Sequence, residues 1–96
     1  MDEIAISKYV GLAIRAGNVV YGIDNIKKFS KKINLIICCH TASTNLQKSL
    51  SRLVQVNGLP VVQLAEHTLD SLIHTTNCKA IGITNPHLAE QIKLLK

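Results

Sequence analysis

The sequence predicts an α/β protein, a three-layer α-β-α sandwich with a small central mixed sheet of about four strands. Segments whose apolar residues recur at helical spacing alternate with short apolar runs rich in β-branched residues along the whole chain. The 96 residues, 47% of them hydrophobic, suffice for a single domain over 1–96 with its own core. No linker, repeat or low-complexity segment interrupts the alternation.

The chain is expected to begin with a helix over residues 2–16, where apolar side chains recur on one face. Asp2 and Glu3 suit the N-terminal dipole of this helix, and Gly17 suits its C-terminal cap. The apolar run at 18–21 is bounded by glycines, which predicts a short strand at an edge of the sheet.

A second helix is predicted by apolar residues at helical spacing, with lysines on the other face. The apolar positions are Ile23, Ile26, Phe29 and Ile33. The nearly continuous apolar run at 33–39 then predicts a central strand that is covered on both faces.

The third helix is predicted to start at a capping-box pattern, Thr44 with Gln47, and to end at Gly58. The apolar run at 59–64 predicts another strand. Pro60 is compatible with it, because it lies near the start of the strand, where a missing N–H does least harm.

The remaining elements are a short helix around 69–73, a strand at 79–83 and a last helix. Asn85 followed by Pro86 is typical of a helix N-cap with proline in the first helical position. Its inward-facing positions are expected to be Leu88, Ala89, Ile92 and Leu95.

Charge points to an anionic partner, since 11 Lys and Arg against 6 Asp and Glu give a formal charge of +5. Four lysines crowd about two turns of the second helix, a spacing that suits phosphate contacts: Lys27, Lys28, Lys31 and Lys32. The N–H groups of a helix starting near Ile23 would add to an anion site, and we expect Arg15 to join the same surface. Lys48 and Arg52 fit a solvated helix face better.

The three aromatic residues are too few for base stacking on an aromatic platform to be the main mode of binding. The longest uninterrupted apolar run, 35–39, is far shorter than the roughly 20 residues of a membrane helix. The N-terminus is acidic and lacks a signal-peptide pattern, so we expect a cytoplasmic protein.

Cysteines and histidines supply every soft ligand type that zinc uses, but at the wrong spacing. They are Cys38, Cys39, His40, His67, His74, Cys78 and His87. There is no C-x-x-C pair, and adjacent residues of a strand point to opposite faces. Cys38 and Cys39 are therefore interpreted as reduced, buried small residues. With no nucleophile–base pair, paired carboxylates or phosphate-binding glycine fingerprint, we predict neither enzymatic activity nor a metal or cofactor.

Five blocks of the sequence resemble a known family. They are Gly-Leu-Ala-Ile-Arg-Ala-Gly at 11–17, Tyr-Gly-Ile-Asp-Asn-Ile-Lys-Lys at 21–28, the apolar strand ending at Cys39, Pro-Val-Val at 60–62 and Ile-Thr-Asn-Pro at 83–86. In this order, over nearly the whole chain, they resemble the L-seven-Ae/L-thirty-e family of small ribosomal proteins, specifically its bacterial YlxQ-type branch. The resemblance implies an α-β-α sandwich that binds structured RNA, often a kink-turn with tandem sheared G·A pairs.

In that family the RNA-reading helix opens with Gly-x-Asn-Glu-x-x-Lys. Gly22 and Lys28 match this pattern, whereas Asp24 and Asn25 differ from it. A carboxylate at position 24 would repel phosphate or lose a donor to base edges.

The family's loop after the third central strand supports an extruded nucleotide. The corresponding residues are Leu64, Ala65, Glu66 and His67. Asp70 replaces the glycine that usually follows the leucine matched by Leu69.

Two hypotheses remain open. The first is non-enzymatic binding of structured RNA, ribosomal RNA included, in ribosome or ribonucleoprotein assembly or function, with ribosomal or translation proteins as further partners. The second is a protein-interaction adaptor of the same fold that has lost RNA recognition. The candidate RNA-binding residues are Arg15, Gly22, Ile23, Asp24, Asn25, Lys27, Lys28, Lys31, Lys32, Leu64, Ala65, Glu66 and His67.

Overall fold

Helices and strands alternate in the predicted order in the computed structural model, which describes residues 3–73 and 78–95. The helices are α1 (Glu3–Arg15), α2 (Ile23–Lys28), α3 (Thr44–Asn57), α4 (Leu69–Ile73) and α5 (Pro86–Leu94), and a 3₁₀ turn, Ser30–Lys32, follows α2. The strands are β1 (Val19–Tyr21), β2 (Leu35–Cys39), β3 (Val61–Leu64) and β4 (Ala80–Ile83).

The four strands form one mixed sheet in the order β1-β4-β2-β3. β2 is parallel to β3 and antiparallel to β4, and β4 is antiparallel to β1. Ile37 lies opposite Val62 on one side and Ile81 on the other. Every residue of β2 is buried, which confirms the predicted central strand, and β1 is the predicted edge strand.

Successive side chains of each strand point to opposite faces of the sheet and pack into two separate hydrophobic cores, one on each face. On the first face Leu35, Ile37 and Cys39 of β2 pack with side chains of α1, α4 and α5. On the second face Ile36 and Cys38 pack with side chains of α2 and α3. The three-layer α-β-α sandwich predicted from the sequence is thereby confirmed.

Local capping signals succeeded at two helix ends. Asn85 accepts hydrogen bonds at Oδ1 from the N–H groups of His87 (2.9 Å) and Leu88 (3.1 Å), as Asn-Pro predicts. Gly17 has φ 73°, and the N–H of Asn18 donates to the carbonyl of Ala13, which closes α1 in a Schellman turn.

The capping box predicted for α3 is wrong by one residue. Ser43 is the N-cap, and its Oγ accepts from the N–H of Leu46. The side chain of Gln47 donates instead to the carbonyl of Ala42 (3.0 Å). Thr44 is thus the first residue inside the helix, while Gly58, at φ 64°, ends α3 as expected.

The second helix is shorter than predicted. α2 has six residues, after which the N–H groups of Lys32 and Ile33 donate to carbonyls three residues back, in 3₁₀ geometry. Asn25 and Ser30 are weak helix formers, a local preference that opposes the helical spacing of the apolar residues. The change of geometry leaves Phe29 38% exposed, whereas Ile26 and Ile33 are buried as predicted.

In the described residues, no helix is both long enough and apolar enough to span a bilayer.

Candidate nucleic-acid interface

One of the two helical layers holds the entire formal charge of the chain. Residues 23–57, which form α2, the 3₁₀ turn, β2 and α3, contain six of the eleven Lys and Arg residues but one of the six acidic residues. The rest of the chain has five cations and five acids, so its formal charge is zero. We call the layer of α2, the 3₁₀ turn and α3 the basic layer. Its cations are Lys27, Lys28, Lys31, Lys32, Lys48 and Arg52.

The four predicted lysines are divided between two elements. Lys27 and Lys28 end α2, and Lys31 and Lys32 lie in the 3₁₀ turn, which corrects the single basic helix of the prediction. All four are exposed, and none of the six cations of the basic layer pairs with a carboxylate among the described residues. Their charges are therefore available to an anionic partner.

Arg52 belongs to this surface, although its sequence context suggested a separate solvated patch. It lines a groove between α2 and α3, together with Lys27 from the other wall. Sequence periodicity cannot show this, because the pairing of the two helices depends on how both pack on the sheet. The remaining lining residues are Ser49, Leu53, Val56 and Asn57. We call this the α2–α3 groove.

The corner at 22–25 is held by backbone hydrogen bonds. Gly22 has φ 82°, a conformation that favours glycine, and its N–H donates to the carbonyl of Ala80 (3.0 Å). Asn25 donates from Nδ2 to the carbonyl of Tyr21 (2.9 Å), so this amide ties α2 to β1. Ile23 is half-buried and Asp24 is exposed, so the corner presents a carboxylate at its surface.

The loop at 65–67 is folded around a side chain that the sequence analysis assigned only to the helix dipole. Both carboxylate oxygens of Glu3 accept from this loop: the N–H of Ala65 (2.7 Å), Glu66 (3.2 Å) and His67 (2.8 Å), and Nδ1 of His67 (3.0 Å). Glu3 is 5% exposed. The three backbone N–H groups of the predicted RNA loop are consequently directed into the protein.

Burial acts to raise the pKa of Glu3, but the hydrogen bonds from Ala65, His67 and Glu66 outweigh it and lower the pKa from 4.5 to about 2. Glu3 is therefore ionised at neutral pH. Leu64 is buried, His67 is half-buried, and Ala65 and Glu66 are exposed, so the outer surface of the loop includes a second carboxylate.

The corner and the loop lie at the same end of the sheet, because both follow the carboxyl ends of the parallel strands β1 and β3. These strands are the two edges of the sheet, about 14 Å apart at normal strand spacing. α2 and the 3₁₀ turn lead from the corner back to the start of β2, so the lysines extend away from this end.

Arg15 lies in the opposite helical layer, at the end of α1. It lines a shallow depression with Lys8 and Leu12, not the groove that holds Lys27 and Arg52. Arg15 therefore does not join the lysine surface, contrary to the prediction.

The adjacent cysteines point to opposite faces of the sheet, as predicted, and both are buried free thiols. Burial and the neighbouring Cys39 raise the pKa of the Cys38 thiol, and Cys39 Sγ accepts from the N–H of Leu69 (2.9 Å). Across residues 3–73 and 78–95, no three His, Cys, Asp or Glu residues are grouped as a metal site would require. His74 lies outside the described residues.

No family model and no curated protein matches this chain. Among solved structures, the fold is similar to that of a protein with unknown function from Bacillus halodurans C, with a TM-score of 0.84. The two share 20% sequence identity, and the similarity covers 94% of each chain. At this identity the similarity supports the fold and leaves the function to be argued from the surface.

Proposed function

We propose that this protein binds structured RNA and catalyses no reaction. It acts in the cytoplasm, in the assembly or function of the ribosome or another ribonucleoprotein, as the resemblance to the L-seven-Ae/L-thirty-e family implies. The observation that supports this most is the confinement of the whole formal charge of +5 to the basic layer. A one-sided cluster of cations is the electrostatic footprint of a nucleic-acid partner.

The cations of the basic layer suit a phosphate backbone more than a single small anion. They are spread over the three elements of this layer, α2, the 3₁₀ turn and α3, and all are exposed. Lysines at such positions neutralise phosphates and release counterions, which supplies affinity without sequence specificity. Shape or sequence preference is assigned to the corner at 22–25, which lies at one end of this layer.

The loop at 65–67 contributes differently from the family pattern. Its backbone N–H groups are occupied by Glu3, and Glu66 faces solvent. We propose that the loop contacts RNA through its side chains and that the basic layer supplies most of the binding energy.

The salt dependence of binding tests this proposal. We replace four lysines by glutamine in one variant: Lys27, Lys28, Lys31 and Lys32. The slope of log affinity against log salt should become shallower by about three units. The control replaces Lys8 and Lys93, which are exposed on α1 and α5 in the opposite layer, and should change the slope by less than about one unit. A quadruple variant that binds RNA with the parent's slope would exclude the proposed surface.

A protein-interaction adaptor remains the second candidate, and one feature of α1 favours it. Ile4 is 60% exposed and Leu12 is 47% exposed, and they lie two turns apart on the outer side of that helix with Lys8 between them. Under this alternative, Ile4→Ser with Leu12→Ser abolishes capture of a protein partner from RNase-treated extract, and RNA binding by the parent is absent.

A further inference from the structure

The α2–α3 groove has about the volume of a pocket for one small molecule. Its volume is about 290 Å³, just below the usual range for small-molecule pockets. Five of its six lining residues recur along one face of α3, at 49, 52, 53, 56 and 57. The sixth, Lys27, comes from α2.

The lining of the groove combines apolar and cationic side chains. Leu53 packs against the core, which fixes its position, whereas Val56 is 76% exposed on the surface of α3. Lys27 and Arg52 stand on opposite walls, and no lining residue is acidic. A ligand that fits this arrangement has a flat apolar part and an anionic part.

The polar groups distinguish a nucleotide from other amphipathic anions. The guanidinium of arginine is planar and stacks on bases, while lysine acts as a point charge for phosphate. Asn57 donates from Nδ2 to the carbonyl of Leu53 (3.3 Å), which leaves its Oδ1 to accept from an amino group of a base.

We propose that the α2–α3 groove holds one unpaired nucleotide of the bound RNA. The base lies against Leu53, Val56 and the Arg52 guanidinium, and its phosphate lies against Lys27. This rests on the proposed function and adds to it a preference for RNA in which a single unpaired nucleotide adjoins a helix. The neighbouring cations of the basic layer continue the phosphate path beyond the groove, which favours a polyanion over a short acidic peptide.

The test compares two fluorescently labelled RNA hairpins that differ only by one unpaired adenosine in the stem. The parent protein should prefer the hairpin with the unpaired adenosine by about tenfold in fluorescence anisotropy titrations. Arg52→Lys keeps the charge and removes the planar guanidinium, and Val56→Ser removes an exposed apolar side chain from the lining of the groove. Each should reduce the preference to about twofold or less and leave affinity for the fully paired hairpin within about twofold.

Matched controls lie in the opposite layer. Arg15→Lys is the same chemical change on α1, and Leu94→Ser removes an apolar side chain that is 71% exposed on α5. Both should keep the parent's preference. If they lose it, the effect does not belong to the groove and the proposal is overturned.

Failure of the groove and failure of the proposed function give different results. Equal, salt-dependent affinity of the parent for both hairpins, or a preference retained by either groove variant, overturns the groove and leaves RNA binding in place. Salt-dependent binding to neither hairpin overturns both. If a peptide of alternating Glu and Leu binds the parent but not Val56→Ser, while the two hairpins bind alike, the groove belongs to an acidic protein partner instead.

Discussion

Glu3, in the first turn of α1, binds His67 through both its main chain and its ring: the N–H and Nδ1 of His67 donate to the same carboxylate oxygen at 2.8 and 3.0 Å. These residues are 64 positions apart in the sequence. The contact anchors the loop that follows edge strand β3 to the start of the chain, across the layer formed by α1 and α4.

Acid should weaken the fold through Glu3. Its pKa is lower in the folded chain, about 2, than the ordinary value of 4.5. Protonation therefore favours the unfolded chain, and the stabilisation, about 3 kcal/mol, is complete above pH 4.5 and lost as the pH falls toward 2. Urea unfolding of the parent and of Glu3→Gln, measured from pH 7 to pH 2, should show a difference in the free energy of unfolding at pH 7. That difference should disappear near pH 2.

The control for this prediction is Glu90→Gln. Glu90 is exposed and pairs with Lys93 within α5 at 3.2 Å, so its loss should change stability by less than about 0.5 kcal/mol. A Glu3→Gln variant as stable as the parent at pH 7 would show that the loop does not depend on the carboxylate.

Gly82 in β4 packs closely against the side chain of Ile33. A Cβ built on Gly82 would lie 2.8 Å from Cδ1 and 3.1 Å from Cγ1 of Ile33, which is buried. Gly82→Ala should therefore lower the free energy of unfolding by about 1–3 kcal/mol, measured by urea denaturation. Gly11→Ala is the matched control, because Gly11 is helical and a Cβ there meets open space. That change should stabilise the protein by up to about 1 kcal/mol.

Asp24 should decide whether the protein reads a kink-turn. Asp24→Asn restores the amide of the family pattern at an exposed position of α2. The substitution should tighten binding to a kink-turn RNA by about 1–3 kcal/mol. In parallel titrations, the affinity for a plain duplex should stay nearly unchanged. Glu66→Gln removes a charge at the same end of the sheet without restoring that amide, and should not discriminate between the RNAs. Equal tightening of both RNAs by Asp24→Asn would mean that only a repulsive charge had been removed.

The protein should fold without zinc. A structural zinc site contributes on the order of 10 kcal/mol in small metal-dependent domains, so a chelator would unfold such a protein. We expect EDTA to leave the melting temperature unchanged and purified protein to contain no stoichiometric zinc. Stoichiometric metal combined with chelator-induced unfolding would contradict this expectation.

The elements that could be predicted from the sequence are those fixed by local chemistry. Asn85 caps α5 by accepting from N–H groups two and three residues further on, and Pro86 is the first residue of the helix. The five apolar residues of β2 identify a strand covered on both faces. Where signals competed within a few residues, the prediction failed. Ser43 rather than Thr44 caps α3, because both can cap a helix and their choice depends on how the chain leaves the sheet.

The candidate site was less predictable because its main features join distant segments. The sequence predicts Lys27 to be a phosphate-binding residue, but the position of Arg52 across the groove depends on the packing of α2 against α3. In the same way, Glu3 resembled a helix-dipole residue, since nothing near it in the sequence indicates the backbone donors of the 65–67 loop.

The order of strands in the sheet also determines when the protein can assemble. β4, which follows the other three strands of the described sheet in the sequence, lies between β1 and β2 and provides the pairing that holds β1 in the sheet. A nascent chain that stops before residue 79 has yet to form the bond from the Gly22 N–H to Ala80, so the start of α2 lacks its anchor. The pairing of β1 with β4 joins segments far apart in the sequence, and contacts of this kind cost loop-closure entropy and slow folding. Until β4 has been synthesised, the corner at 22–25 therefore lacks the hydrogen bond that would position it for the RNA contact proposed above.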